Sequence, residues 1–281
     1  ESAYLSEIKP VFYYQFQTPK VTAAAGIFTR DMMHDDDYST AFFSESERFF
    51  HNRMNGVLAQ YNGKRDSYVE FVCDWEGMYS TLSREKFRIL LAGRHYLDTF
   101  YYGFNYSMFH YAGQQGAPIE NVVDLQLLTP CVGVRFNAFF DFDIKLGALL
   151  TAQRDRSFGH SWEKPCMGEF AFRISRWGLS LDERLYVGDN IHPFFYGHEL
   201  EDGTPLPYGR ELYPAESFFR TDQKVYSRTA LSYRRSFFDD TVSVRAEFAA
   251  HHDGTALGTQ QMLVVGVKLL KTVYNSKNHK K

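Results

Sequence analysis

The stretch FDFDIKLGALL, residues 140–150, decides the fold class of this chain. Apolar side chains fall on every second residue from Phe140 to Leu150, and the positions between them include Asp141, Asp143 and Lys145. A helix would scatter these charges around its axis, whereas a β-strand places them on one face. The stretch therefore predicts a strand with one apolar and one charged face.

The same period of two recurs along the whole chain, as in Val69–Trp75 and Val242–Phe248, where charged residues separate the apolar ones. Short turns and long polar connections alternate between the segments, which indicates an antiparallel up-and-down order. Thirteen segments can be separated, near 9–18, 21–30, 52–62, 66–76, 85–97, 99–111, 122–134, 138–152, 165–176, 178–188, 223–237, 241–251 and 259–273.

These features together predict an all-β protein, a transmembrane antiparallel up-and-down β-barrel of the bacterial outer membrane. Strands of a soluble β-sandwich average about five or six residues. The segments here are long enough for a tilted membrane crossing of about 9–11 residues, with further residues that extend beyond the membrane at the rim of the barrel. Aromatic residues make up 17% of the chain, and those near strand ends would form the interfacial girdles. Because an antiparallel barrel closes with an even number of strands, we expect about fourteen, with twelve as the alternative.

The sequence predicts one large domain and a short tail. Residues 1–275 would form the barrel, with long outward loops at 31–51 and 189–221, and residues 276–281 a basic periplasmic tail. The chain starts at Glu1 without a basic-then-apolar leader, so we expect a mature or trimmed chain. Three distant cysteines indicate neither a disulfide framework nor a zinc site, and no cofactor or metal is expected. The net charge of −3 gives no indication of nucleic-acid binding.

The polar face of the strands should line the barrel lumen. Its acids and bases are nearly balanced, which argues against a strongly ion-selective pore, because such pores usually carry rings of one sign. The predicted lumen acids are Glu70, Asp74, Glu76, Asp141, Asp143, Glu169, Asp182 and Glu247. The predicted lumen bases are Arg88, Arg94, Lys145, Arg173, Arg184, Arg228, Arg234, Arg245 and Lys268.

Two functions remain open on this pattern. The first is a porin-like barrel for passage or uptake of small polar solutes. The second is a non-catalytic structural subunit of an outer-membrane complex with a closed lumen, bound to lipids and to another barrel or a lipoprotein. The aromatic loop residues Phe194, Phe195, Tyr196 and Tyr213 would form a lid or a docking surface. Glu183 stands alone on an apolar strand face, where a bulge, a rim position or a protein contact would each explain it, and the last would favour the complex.

An enzyme is not expected. The histidine candidates His160-Ser161, His198-Glu199 and His251-His252 lie in or beside predicted loops and accompany no nucleophile motif. The acidic run from Met33 to Asp37 lacks the spacing and glycine of a calcium loop, which favours a solvated loop.

Four short motifs resemble poorly characterised, porin-like outer-membrane β-barrels of Bacteroidota. They are Gly26-Ile27-Phe28-Thr29-Arg30, Asp74-Trp75-Glu76-Gly77-Met78, Arg84-Glu85-Lys86-Phe87 and His110-Tyr111-Ala112. The resemblance covers roughly residues 21–135. It implies a Gram-negative outer membrane and a role in transport or assembly, and it carries over no catalytic residue.

Overall fold

The computed structural model describes residues 10–34, 37–117, 122–156, 161–192, 214–221, 223–239 and 241–267. Within them, thirteen strands form one antiparallel sheet in which every strand pairs with its neighbours in chain order. The strands are β1 (Phe12–Gln17), β2 (Val21–Thr29), β3 (Arg53–Asn62), β4 (Tyr68–Gly77), β5 (Lys86–Leu97), β6 (Phe100–Tyr111), β7 (Val123–Asn137), β8 (Asp141–Asp155), β9 (Cys166–Arg176), β10 (Leu179–Gly188), β11 (Val225–Phe237), β12 (Val242–His252) and β13 (Leu257–Val267).

Helical structure lies in the connections. Helix α1 (Glu45–Phe50) and the 3-10 helix Arg30–Met32 lie between β2 and β3, and the 3-10 helix Ser217–Arg220 precedes β11. Among the helices of the described residues, none has the length and apolar character needed to cross a membrane.

The structure confirms the all-β, antiparallel, up-and-down prediction and the segmentation into thirteen strands. The described residues contain thirteen strands instead of the expected fourteen. Each of their alternating segments already forms one of these thirteen strands. No pairing between β1 and β13 exists among the described residues, so the sheet has two edges there. The predicted tail, 276–281, lies outside the described residues.

The two faces of the sheet differ in burial, as the alternation predicts. We call the face that contacts the buried core the inner face and the opposite one the outer face. In β4, Glu70 and Val72 on the inner face are fully buried, while Val69 and Phe71 on the outer face are exposed. The register is regular over most pairs, with one irregularity between β4 and β5 at Trp75/Gly77.

The sheet is curled, because one short segment contacts strands that are far apart in the strand order. The Tyr38 hydroxyl donates to Glu70 on β4 (3.0 Å), and the next residue, Ser39, lies 3.4 Å from the Tyr186 hydroxyl on β10. In a flat sheet six strand spacings would separate β4 from β10 by roughly 29 Å. The inner faces of these strands therefore face each other across residues 38 and 39.

Gly133 on β7 allows Tyr101 on β6 to lie flat against the inner face. The two residues are cross-strand partners, and a Cβ at Gly133 would come within 2.3 Å of the tyrosine ring and 2.6 Å of the Ile144 carbonyl oxygen. In this position the Tyr101 hydroxyl donates to Asp143 (2.7 Å). An aromatic ring covering a strand glycine is a recognised device for fixing sheet register.

We predict that Gly133→Ala lowers the free energy of unfolding by about 3 kcal/mol, because the methyl group must displace a buried ring and its hydrogen bond. Urea unfolding of the purified protein, followed by tryptophan fluorescence, measures this loss. Gly258→Ala on β13 is the control, because a Cβ there meets no atom within 4 Å. Equal stability of the two variants would contradict the prediction.

Candidate functional site

The inner face contacts a segment that we call the plug, residues 30–52, which joins β2 to β3 and is described except for residues 35 and 36. Tyr38, Phe42 and Phe43 on the plug are almost completely buried. The sequence predicts a long outward loop at 31–51, and the structure instead buries residues 38–44 of this segment against the inner face. The polar residues of the plug are used to anchor it.

Helix α1 has its own sequence signal. Ser44 is the N-cap, and its hydroxyl oxygen accepts from the Glu47 backbone N–H (3.0 Å), so that S-x-x-E forms the first half of a capping box. The Ser44 N–H donates to the Pro214 carbonyl, and the Glu45 N–H to the Glu216 side chain (2.9 Å). These bonds join the plug to the connection before β11.

Glu70 on β4 is the deepest anchor of the plug. Its fully buried carboxylate accepts hydrogen bonds from the His34 backbone N–H (2.9 Å), the Tyr38 hydroxyl (3.0 Å) and Gln60 Nε2 (2.7 Å). Two of the three donors belong to the plug and the third to β3. A buried carboxylate with several hydrogen bonds fixes the position of the groups around it.

Asp37 forms a second anchor. It pairs with Arg94 on β5 (3.0 Å) and accepts from the Tyr68 hydroxyl on β4 (2.6 Å), and the His34 ring stacks on Tyr68 with centroids 3.7 Å apart. The solvated acidic loop predicted for Met33–Asp37 is therefore wrong at Asp37. The neighbouring Asp35 and Asp36 lie outside the described residues.

Two arginines hold the aromatic end of the plug. The guanidinium carbon of Arg30 lies 4.1 Å from the centroid of the Phe43 ring, and that of Arg88 lies 4.3 Å from Phe109 and 5.5 Å from Phe43. Arg88 also pairs with Glu76 (3.0 Å). Such cation–π contacts are strongest where the cation is desolvated, as both arginines are here.

The connection between β10 and β11 completes the core where its residues are described. Ile191, Ala215 and Phe219 are buried, and Phe218 stacks on Tyr226 with ring centroids 3.8 Å apart. The four aromatic residues predicted as a lid or docking surface, Phe194, Phe195, Tyr196 and Tyr213, lie outside the described residues.

Most of the charges predicted for the lumen lie on the inner face, and many are paired across neighbouring strands. Four pairs join neighbouring strands: Arg88–Glu76 (3.0 Å), Lys145–Glu169 (3.0 Å), Arg173–Asp182 (2.5 Å) and Arg228–Glu247 (2.5 Å). Within β12, Arg245 also pairs with Glu247 (2.8 Å). This pairing is how a confined interior accommodates a balanced charge set.

The remaining predicted charges have other partners. Asp74 accepts from the Asn55 backbone N–H (2.8 Å), Asp143 binds Arg135 through two hydrogen bonds, and Asp141 accepts from Asn137 at the exposed end of β8. Arg184 and Arg234 line a cavity described below. Lys268 lies outside the described residues.

Sequence reasoning missed the residues that fill the interior, above all Tyr38, Phe42 and Phe43, and the plug-anchoring role of Arg30 and Asp37. The sequence does contain a signal, because Phe42 and Phe43 directly precede a capping-box motif, Ser44 to Glu47, inside the predicted outward loop.

Glu183 lies on the outer face, as predicted, and the structure gives it intrachain partners. Its carboxylate accepts from the hydroxyls of Ser227 (3.0 Å) and Thr229 on the adjacent β11. The pairing of β10 with both neighbours is regular around Glu183, so a bulge does not account for its position.

The histidine candidates are only partly described. His160, His198 and Glu199 lie outside the described residues. His251 Nδ1 lies 2.5 Å from the Tyr226 hydroxyl, and the two rings stack. The described part of the chain contains no cluster of three or more His, Cys, Asp or Glu side chains arranged to hold a metal ion.

Among the described residues, four polar cavities adjoin the plug, and three of them are described here. The largest, about 580 Å³, lies between the plug and β11–β13. A second, about 280 Å³, lies beside Arg94, Tyr101 and Asp143. A third, about 440 Å³, lies at the short-turn end of β8–β12 and is closed on one side by Glu45 and Arg48 of α1.

No protein-family model, curated protein or solved structure matches this chain. The resemblance to porin-like barrels of Bacteroidota therefore stays a prediction. All four of its motifs lie at the plug end of β2, β4, β5 and β6.

Proposed function

We propose that the chain is an outer-membrane β-barrel whose lumen is closed by the plug, and that it serves as a non-catalytic structural subunit of an outer-membrane complex. The observation that carries the closed lumen is the aromatic core inside the curled sheet. Tyr38, Phe42 and Phe43 are desolvated there together with the inner-face residues Val72 and Leu90. Hydrated ions do not cross a dry aromatic core, because such a core offers nothing to replace their hydration.

The membrane location rests on the outer face. Large apolar side chains are exposed on strand after strand, including Val69, Phe104, Leu146, Leu231 and Val265. A soluble monomer rarely exposes a continuous apolar surface of this extent, whereas lipid-facing strands require one. Exposed aromatic residues stand at both ends of the strands, with Trp75 at the plug end, stacked on the half-buried Phe87, and Trp177 beside Phe139 at the turn end.

Closure of the sheet follows the same reasoning. The plug reaches β4 through Glu70 and β12 through the Glu45–Arg245 pair (3.7 Å), so the sheet already surrounds it on several sides. Unpaired edges at β1 and β13 would leave backbone polar groups without partners in lipid. With thirteen strands in alternating directions, β1 and β13 run in the same direction. Closing the sheet therefore requires either parallel pairing between β1 and β13 or one further strand between them.

Porin-like passage of small polar solutes is the second candidate, and the charged cavities favour it. Together they leave polar space on both sides of the plug. In this case the plug would have to move for a solute to pass. The resting protein would still be non-conducting, and a conducting state would appear only when the plug is displaced.

Site-specific labelling tests the membrane location. In a variant with Cys73, Cys131 and Cys166 replaced by alanine, Leu146→Cys places a thiol on the outer face, where Leu146 is 57% exposed. We expect a water-soluble maleimide to label this thiol in urea but not in lipid vesicles. Thr241→Cys in the β11–β12 turn is the control, because an exposed turn residue should be labelled in both. Fast labelling of Leu146→Cys in vesicles would refute the membrane barrel.

A further inference from the structure

An apolar groove of about 860 Å³ lies on the outer face, across β3–β6 near their short turns, and we call it the outer groove. Its walls include the exposed outer-face side chains of Tyr61, Val69, Tyr102 and Phe104. Gly93 on β5 pairs with Val69 on one side and with Phe104 on the other. Because glycine places no side chain between these two large residues, it leaves a depression in an otherwise continuous apolar surface.

The packing of the chain itself does not require a glycine at position 93. A Cβ there would lie 3.3 Å from the edge of the Phe104 ring, 3.4 Å from the Tyr68 carbonyl oxygen and 3.7 Å from a Val69 methyl group. A Cβ at Gly133, by contrast, would come within 2.3 Å of a buried ring. Glycine in a strand interior often marks a place where a ligand or another backbone approaches closely, and the open groove beside Gly93 favours a ligand.

Basic residues stand at the turn end of the outer groove. Lys20 of the β1–β2 turn and Lys64 and Arg65 of the β3–β4 turn line it, and all three are exposed. Asp66 of the β3–β4 turn and Asp98 of the β5–β6 turn do not line it. The groove is therefore apolar along the strands and has cationic side chains at the turns.

Hydrogen bonds hold the β3–β4 turn in place beside the groove. The Gly63 N–H donates to the Ser67 carbonyl (2.7 Å), and the Ser67 N–H donates to the Lys64 carbonyl (3.1 Å). The Ser67 hydroxyl oxygen also accepts from the Tyr96 backbone N–H (3.0 Å), which ties the turn to β5. Lys64 and Arg65 therefore project from an ordered turn, so the backbone loses little freedom when a ligand binds.

We propose that the outer groove binds one anionic phospholipid, with an acyl chain against Gly93 and the phosphate group at Lys64 and Arg65. An apolar groove with a cationic end matches such an amphiphile, because basic clusters at a membrane surface attract anionic headgroups. The rings of His95 and Tyr102, 5.5 Å apart, lie at the same end of the groove, and amphipathic rings are typical of the headgroup level. The volume is within the range of small-molecule sites, which is about 300–1,000 Å³.

This proposal rests on the membrane location proposed above, and it does not depend on the plug or on closure of the sheet. The two proposals can fail separately. Protection of Leu146→Cys in vesicles together with no lipid preference would overturn the groove proposal alone, whereas fast labelling of Leu146→Cys would overturn both.

Native mass spectrometry of the purified full-length protein tests the lipid preference. The protein is released from detergent micelles that contain equal amounts of phosphatidylglycerol and phosphatidylcholine with identical acyl chains. We expect one retained phospholipid, with phosphatidylglycerol bound roughly tenfold more often than phosphatidylcholine. Lys64→Gln combined with Arg65→Gln should bring the two lipids to nearly equal retention, because each basic residue near the surface contributes about a fivefold preference.

Matched variants decide whether the effect belongs to the groove. Arg156→Gln combined with Lys224→Gln removes the same charge from exposed side chains at the plug end, and the lipid preference should be unchanged. Gly93→Leu should lower retention of both lipids about fivefold or more, because leucine takes the space of the acyl chain. Gly168→Leu is its control, since Gly168 is also an exposed outer-face glycine, and a Cβ there would meet one atom within 4 Å, the Val187 carbonyl oxygen at 3.7 Å.

Equal retention of the two lipids by the wild-type chain would overturn the proposal. Equal effects of the two charge variants, or of the two glycine variants, would also overturn it. A lipid-free dimer that Gly93→Leu converts to a monomer would show that a second copy occupies the groove instead. If Gly93→Leu does not fold, the charge variants still decide, because their substitutions lie on exposed side chains.

Discussion

Replacing residues 31–51 with Asn-Gly is expected to turn a non-conducting protein into an ion-conducting pore in planar lipid bilayers. The replacement is sterically simple, because Thr29 and Arg53 are already paired across β2 and β3 and the Arg30 N–H donates to the Asn52 carbonyl (2.7 Å). A two-residue Asn-Gly loop fits the twist of such a hairpin. With the plug removed, its aromatic rings leave the interior and the charged inner face is exposed to water.

The expected change is from no detectable current to resolved conductance steps that scale with bulk salt. The control is a variant in which Asn-Gly replaces residues 79–82 of the exposed β4–β5 connection. This variant should show no conductance. Heat-dependent mobility on gels verifies that each variant is folded. A folded plug-deletion variant that does not conduct would show that the inner face does not surround a continuous path.

Removing the main anchor of the plug should cause the largest loss of stability among single substitutions. Glu70→Ala removes a fully buried carboxylate and leaves three donors, on His34, Tyr38 and Gln60, without an acceptor. Each unsatisfied buried donor costs about 1–3 kcal/mol, and the costs are not additive, so we expect about 4 kcal/mol in total. The urea midpoint of the detergent-solubilised protein measures this loss.

Two comparisons make the result specific to the anchor. Glu70→Gln retains one acceptor oxygen and should lose about half as much stability. Glu163→Ala makes the same change as Glu70→Ala at an exposed position and should alter stability by less than about 0.5 kcal/mol. If Glu70→Ala unfolds at the same urea concentration as Glu163→Ala, the plug is not held by this carboxylate.

The strands could be predicted from the sequence because alternation is a local property. Every strand contains its own period of two, so Asp143 and Lys145 of β8 could be assigned to one face without knowing any partner. Their pairing with charges on adjacent strands follows, because consecutive strands of an up-and-down sheet are neighbours in space. The sequence therefore predicts Lys145, Glu169, Arg173 and Asp182 on one face. The structure pairs Lys145 with Glu169 and Arg173 with Asp182 on that face.

The plug could not be predicted in the same way, because its contacts are not local. Tyr38 is buried by strands that are close to it only after the sheet has curled, and Asp37 finds Arg94 more than fifty residues further along the chain. In the sequence these residues lie in a polar segment with no strand periodicity, which is typical of a solvated connection. The distinction between plug and loop depends on the shape of the sheet, and no local pattern encodes that shape.

The bonds that join the plug to β10 and to the connection before β11 also set an order of assembly. Ser39 and Tyr186 are 147 residues apart in sequence, and the Glu45–Glu216 hydrogen bond joins residues that are 171 apart. The segment between β2 and β3 is thus translated early, but its burial is completed only when β10–β12 have been made. Contacts of such sequence separation form slowly, because a long loop must close before they are made. Until then the aromatic residues of the plug have only the part of their core that β4–β6 supply, so a chain interrupted before β10 would leave them partly exposed to any chaperone that binds apolar segments.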